Sequence, residues 1–282
     1  MKIRKRILPS GWYPFDEKNC IENFKKFEKK IDPKALNIDI KNVNTLIVPH
    51  AGWEFSGHLA YLSFYKAKEI SQANHQKIDL VVLLGGHLKY SENTIILNYD
   101  YCETPFGNLE VDKSLIEEYK KLFDTVEETT IFSDNTIEVN LPFIKYFFPD
   151  AKFFGIYPPL QEAISIAQFF VNKVKNCIVV ASSDLTHYGP NYGFTPAGTG
   201  EKAYKWAIDN DKILLDALEK LDYESIELII DKKQNSCSPN SITTSIAYAS
   251  MKGSKKGYIL SYGSSYDIFP SASFVGYVSF IA

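Results

Sequence analysis

The sequence predicts an α/β fold: a single domain with a mostly parallel central sheet flanked by helices. Two observations lead there. Short runs rich in Val, Ile, Leu or Phe, bounded by Gly, Pro, Ser or Asn, recur along the chain and read as buried strands. Longer amphipathic segments separate them, and strand–helix–strand alternation builds parallel sheets covered on both faces. The 282 residues lie within the range such folds reach as one unit. No Pro/Gly/Ser-rich linker or internal repeat divides them, so residues 1–282 are taken as one domain.

The first strand is Thr45–Val48, followed by a helix over Ser56–Ile70 with Ser56 as its N-cap. Leu80–Leu84 is the second strand. Beyond it, Leu115, Ile116, Tyr119, Leu122 and Phe123 share one face of a helix that Asp112 would cap. A helix over Glu138–Phe148 precedes the strand Lys152–Ile156, and a helix over Gln161–Val174 precedes the strand Cys177–Ala181. Three more helices follow, Lys202–Leu221, Tyr223–Asp231 and Ser241–Met251, and the strand-like runs Gly257–Tyr262 and Ser273–Ile281 close the chain.

Composition narrows the function classes. With 45% hydrophobic residues, including 18 Tyr and 19 Phe, the chain can fill a large core with packed rings. With 34 acidic against 31 basic residues, the net charge is −3, which gives no electrostatic reason to expect nucleic acid or an anionic membrane as partner. No apolar run approaches the roughly 20 residues that cross a bilayer. The apolar stretch after the basic N-terminus is too short for a secretory signal. Cys20, Cys102, Cys177 and Cys237 are far apart and form no CxxC pair, a pattern that fits a reducing cytoplasm.

Ligands of open α/β sheets bind beyond the carboxyl ends of the strands, so reactive side chains directly after a strand are the candidates. Three of the five histidines pass this test. His50 ends Leu46–His50, His87 ends Leu83–His87, and His187 follows Val179-Val180-Ala181 in Ser-Ser-Asp-Leu-Thr-His-Tyr-Gly. Neighbouring glycines, Gly52, Gly85, Gly86 and Gly189, allow close backbone approach at the same edge. Each histidine taken alone is equally served by a bond to a nearby carbonyl; convergence of the three is what points to a site. His58 reads as a capping or surface side chain and His75 as solvent-exposed.

Neutral imidazole binds zinc, iron or copper, and two or three histidines leave such a site incomplete. Asp184, Glu138 and Cys237 are the candidate additional ligands. Asp184 has a second reading, as the group that orients His187. Glu138 has one as a helix-dipole partner. Cys237 lies in the polar loop Asn235-Ser236-Cys237-Ser238-Pro239, where a reactive or ligating role competes with a simple loop position. No GxGxxG, Walker A, HExxH or GxSxG pattern is present.

Together these motifs resemble the Memo-like family, whose prokaryotic members are called AmmeMemoRadiSam system protein B. The resemblance is carried by Pro49-His50-Ala51-Gly52-Trp53-x-Phe55-Ser56-Gly57, Gly85-Gly86-His87, Thr104–Asp112, Ile137-Glu138-x-x-Leu141-Pro142-Phe143, Ser182–Gly189, Cys237 and Val275-Gly276-Tyr277. It implies a fold similar to class III extradiol dioxygenases of the LigB type, which use non-haem iron(II). Carried over by motif, His50 and His87 match the ligand histidines and His187 the acid/base histidine. Cys237 falls where the family has cysteine in place of the dioxygenase carboxylate. The cofactor implied is a divalent transition metal: iron(II), copper or zinc. The partners implied are a small molecule or peptide, together with AMMECR1-like and radical SAM proteins.

Some positions depart from the family. Asn135 replaces the usual His before x-x-Glu, Gly86 replaces a proline, and Ser-Cys-Ser-Pro-Asn replaces Ile-Cys-Gly-Arg. Two functions from different classes remain. One is a metal-dependent redox enzyme of unidentified substrate, with His187 and Asp184 as its catalytic residues and His187 moving a proton. The other is a binding module that keeps the pocket without turnover, for which Trp12, Trp53, Glu138 and Tyr188 are the substrate- or peptide-contacting candidates, the rings being equally suited to the core.

Overall fold

The computed structural model describes residues 1–87, 92–129 and 134–282. Its main sheet has four parallel strands at the centre, in the spatial order Thr45–Val48, Cys177–Ser182, Leu80–Leu84 and Lys152–Tyr157. Thr94–Ile96 runs antiparallel to the last of these and pairs with Thr125–Glu127. On the other side Phe274–Ile281 runs antiparallel to Thr45–Val48 and also holds Tyr258–Ser264 and His187–Tyr188. The closing strands are therefore antiparallel cover on one edge of the parallel core. A second small sheet, Ile3–Arg4 with Tyr101–Thr104 and Gly107–Glu110, has no counterpart in the sequence reading, because its strands are too short to show a period.

The helices take opposite faces for a topological reason. His58–Ala73 carries the chain from Thr45–Val48 to Leu80–Leu84, while Ala163–Lys173 carries it back from Lys152–Tyr157 to Cys177–Ser182. These crossovers run in opposite lateral directions, and right-handed connections then place their helices on opposite sides of the sheet. The side chains follow. Leu46 and Val48 join the apolar cluster of Phe64 and Ala67, whereas Ile47 joins that of Ile242, Ile246 and Phe280. Such alternation is what a strand buried on both faces requires.

Several local expectations change. Ser56 caps nothing: residues Trp53–Gly57 form a π-turn, the helix starts at His58, and the Ser56 hydroxyl donates to the Ala51 carbonyl at 3.2 Å. Asp112 does cap, accepting from the Leu115 amide at 3.2 Å, but its helix ends at Tyr119 and leaves Leu122 exposed. The single helix expected over Glu138–Phe148 is two, Asn135–Glu138 and Leu141–Phe147. Glu138 thus lies in the first turn of a four-residue helix, as its reading beside a helix start requires.

Glu138 also takes part in a buried ionic cluster. Arg4 donates to Glu138 at 2.8 Å and to both carboxylate oxygens of Glu128, and all three residues are at most 6% exposed. The Ile7 and Leu8 amides and the Tyr13 hydroxyl complete the shell of Glu138. This ties the N-terminal strand to the helical turn beside the carboxyl edge of the main sheet. Among the described residues no helix is long and apolar enough to cross a membrane. Arg4→Ala leaves two buried carboxylates without their cation, so urea unfolding is expected to show a loss of about 3–5 kcal/mol. Arg4→Lys, which lacks the planar fork, should recover only part of it.

Candidate metal centre

The carboxyl ends of three adjacent parallel strands deliver the site. Val48 leads through Pro49 to His50, Ser182 leads to Ser183 and Asp184, and Leu84 leads through Gly85 and Gly86 to His87. Gly86 has φ +130°, a conformation open to glycine, and this turns the chain so that His87 faces back over the sheet edge. Cys237 arrives from the opposite side, just before the helix Pro239–Met251, with its amide donating to the Asp184 carbonyl at 3.2 Å.

His50 Nε2 lies 3.1 Å from His87 Nε2 and 3.2 Å from Cys237 Sγ. The ligand atoms of the three residues all fall within 4.8 Å of one another. The hydrogen bonds behind the rings assign the protons. The single proton of the Ser182 hydroxyl goes to the Thr136 carbonyl at 2.5 Å, so Ser182 Oγ accepts from His50 Nδ1 at 3.0 Å. Asp134, a carboxylate, accepts from His87 Nδ1 at 3.1 Å. Both imidazoles therefore turn their Nε2 lone pairs toward each other and toward the sulfur. That arrangement repels itself unless a proton or a cation lies between the atoms.

Without a cation there, the neighbouring acidic groups favour protons on the two rings. Burial opposes charging His50, but Asp184 and Cys237 outweigh it and raise its pKa. Desolvation likewise opposes protonation of His87, and its bonds to Asp134 and Cys237 push it up to about 10. Cys237 is held well below the usual thiol range, because His50, then His87, overcome the desolvation of the thiolate. The Asp184 amide also donates to Cys237 Sγ, at 3.3 Å. A metal binding here would displace those protons and find the sulfur already ionised.

His50 is fixed on its main chain as well. Its amide donates to Asp184 Oδ1 at 2.9 Å, and its carbonyl accepts from Asn135 Nδ2 at 2.7 Å. Asp184 Oδ2 is 3.8 Å from His50 Nε2. Asp184 is thus bonded to His50 and not to His187, whose Nδ1 donates to the Leu185 carbonyl at 3.2 Å. Since a carbonyl only accepts, His187 carries its proton on Nδ1 and presents Nε2 as a base. Gly189, at φ +116°, packs so closely on Ala272 and Ser273 that a Cβ would overlap them, which seats the His187 segment on the last strand.

A pocket of about 430 Å³ opens over these groups. His50, His87, Asp184 and His187 form its floor, with Trp12, Phe55, Tyr192, Phe269 and Tyr277 among its walls. The Tyr192 ring meets His187 edge-on, with centroids 4.9 Å apart. Of the sequence-nominated contacts, only Trp12 lines this space. Trp53 is buried against Phe143 and donates from its ring to the Val139 carbonyl; Tyr188 is buried against Phe274 and bonds the Gly198 carbonyl; Glu138 faces Arg4. His58 sits half-buried beside Phe27 in a separate cavity, where desolvation lowers its pKa to about 4, and His75 is exposed.

Residue pattern alone missed Asp134 and the tautomer-setting role of Ser182. An Asp at a helix N-cap was the available signal, since Asp134 also caps Asn135–Glu138. Cys20, Cys102 and Cys177 are buried and free, away from the pocket.

The family model described as Memo-like protein matches residues 4–281. The chain belongs to the Memo-like family. A MEMO1 family protein of Saccharolobus solfataricus is 30% identical over 250 residues, covering 83% of this chain and 80% of its own. Another, from Caldivirga maquilingensis, is 27% identical over 283 residues, covering 95% and 94%. The crystal structure of an uncharacterized protein from Escherichia coli K12 superposes with a TM-score of 0.52 over 86% of this chain and 100% of that one. At 11% identity that likeness concerns the fold alone.

The pKa directions make a prediction for this Memo-like chain in its metal-free form. Burial pushes Cys20, Cys102 and Cys177 up to about 12, so only Cys237 ionises near neutrality. Ultraviolet thiolate absorbance at neutral pH should therefore correspond to about one thiolate per chain. A lowered thiol pKa means that this signal disappears only as pH falls below the ordinary thiol range. In His50→Ala the midpoint should move upward.

Proposed function

We propose that this Memo-like protein binds a transition metal through His50 Nε2, His87 Nε2 and Cys237 Sγ and is a metal-dependent enzyme of the redox class. The observation that carries the reading is the convergence of two imidazole Nε2 atoms and one sulfur, each ring held by a partner on its far side. A carboxylate or serine hydroxyl behind each ligating histidine is the arrangement that fixes tautomer and orientation in metal sites. The thiolate favours iron(II), copper or zinc over magnesium or calcium, which take oxygen ligands. Three protein ligands beside an open pocket also match catalytic sites better than closed structural ones.

When bound, such a metal supplies Lewis acidity and, for iron or copper, a redox couple. The protein's own groups do the rest. His187 Nε2, freed by the Nδ1 bond to Leu185, takes a proton from a group entering the pocket. Asp184, buried beside the metal ligands, fixes the His50 main chain, and its burial raises its pKa against the opposing pull of His50. Trp12, Phe55 and Tyr277 shape a site for a small molecule or for one group of a peptide and keep water from the floor. Family membership supports AMMECR1-like and radical SAM proteins as partners in the cell.

Protein handled anaerobically is expected to take up about one equivalent of zinc or iron(II) per chain, measured by calorimetry, and His50→Ala with His87→Ala should abolish it. Asp134→Asn should lower affinity by about 10–100-fold while leaving the ligands in place. Undiminished stoichiometric uptake by the double variant would place the metal elsewhere. Turnover separates enzyme from module: His187→Gln should retain uptake and lose any oxygen consumption found for the loaded wild type. Loaded protein that binds ligands but turns over none would make it a binding module.

A further inference from the structure

Behind the site lies a buried carboxylate that the metal reading does not use. Asp211, in the helix Glu201–Lys220, is fully buried, and among the described residues no cation is paired with it. Its Oδ1 accepts from both the amide and the hydroxyl of Thr186, at 3.0 and 2.5 Å, and its Oδ2 accepts from the Tyr262 hydroxyl at 2.8 Å. A Cβ at Gly276 would overlap Asp211 Oδ2, so the strand beside it is shaped to admit the carboxylate. Burying an unpaired carboxylate costs stability, and a neutral side chain of the same size would serve packing better.

The preceding residue serves a second loop. Asn210 Nδ2 donates to Thr186 Oγ1 at 3.1 Å and to the Lys233 carbonyl at 2.9 Å, while the Asn210 carbonyl accepts from Asn235 Nδ2 at 2.8 Å. Asn210, Thr186 and Asn235 are all buried. Thr186 immediately precedes His187, and Asn235 lies two residues before Cys237. Adjacent residues of one helix therefore grip the segment of the proton-transferring histidine and the segment of the thiolate. The Thr186 hydroxyl is the shared point: it donates to Asp211 and accepts from Asn210.

We propose that Asn210 and Asp211 are positioning residues that lock the His187 segment to the Cys237 segment, so that the imidazole and the sulfur keep a fixed separation. The inference rests on the functional reading above for the roles of His187 and Cys237, while the clamp itself concerns geometry in the metal-free chain. Direct bonds between the two segments, such as Ser183 Oγ with Ser236 Oγ at 2.8 Å, close the same junction from the pocket side. The clamp works from the opposite side, through the helix.

The test uses metal-free protein labelled at His and Cys and read by NMR, with Thr186→Val removing the shared hydroxyl at nearly constant volume. The His187 ring and the Cys237 Cβ resonances should both shift, and the His187 Nδ1 proton should lose protection against exchange. Asn210→Ala should move the same two residues, and Thr186→Ser, which restores the hydroxyl, should return both. Leu218→Ala, in the core two turns farther along the same helix, serves as a control for general destabilisation. It should lower thermal stability without moving either resonance. If Thr186→Val moves neither residue, or if Leu218→Ala moves them equally, the clamp is refuted. If the wild type binds no cobalt(II) in a parallel titration, the metal reading fails while the NMR result still decides the clamp.

Discussion

The convergence of two imidazole Nε2 atoms and one sulfur at the sheet edge is the constraint on which the site depends. His50 and His87 each spend their Nδ1 proton on a fixed acceptor, Ser182 or Asp134, and so have no choice about what faces the sulfur. Holding such a cluster together requires rigid support. The parallel strands provide it: they end side by side, and their hydrogen-bonded register sets the spacing of the groups that follow them. The surrounding shell then spends its polar groups on orientation. Asn135, Asn140 and Ser182 bond main chain and side chains around His50, leaving little freedom for the ring.

Charge is arranged by the same economy. Glu128 and Glu138 are neutralised by Arg4, on the far side of the helical turn that begins beside Asp134. The carboxylates nearest the site, Asp134 and Asp184, answer to histidines instead. Asp211 answers to hydroxyls and one amide only. Each buried acid thus has a distinct set of donors.

The parallel core was legible because its strands are fully buried and short, and such runs carry a clear apolar signature. The meeting of His50, His87 and Cys237 could be anticipated for a related reason: each has a structural reading alone, but strand ends that lie side by side bring the groups after them together. The residues that orient them could not be. Asp134 reads as a helix cap and is one, and nothing local shows that its second oxygen holds His87. Glu138 was misplaced because its partner, Arg4, lies 134 residues away. Trp53 and Tyr188 were nominated as pocket walls since an aromatic residue next to a site motif does not reveal which way its ring points. Both turned into the core, whereas Tyr192, exposed and outside every quoted motif, meets His187.

The central claim is that one sulfur and two imidazole nitrogens share a metal. X-ray absorption on zinc-loaded protein reads that shell directly. The account predicts one sulfur at about 2.3 Å with imidazole nitrogens at about 2.0–2.1 Å, the sulfur being lost in Cys237→Ser. A first shell of nitrogen and oxygen alone in the wild type would contradict it.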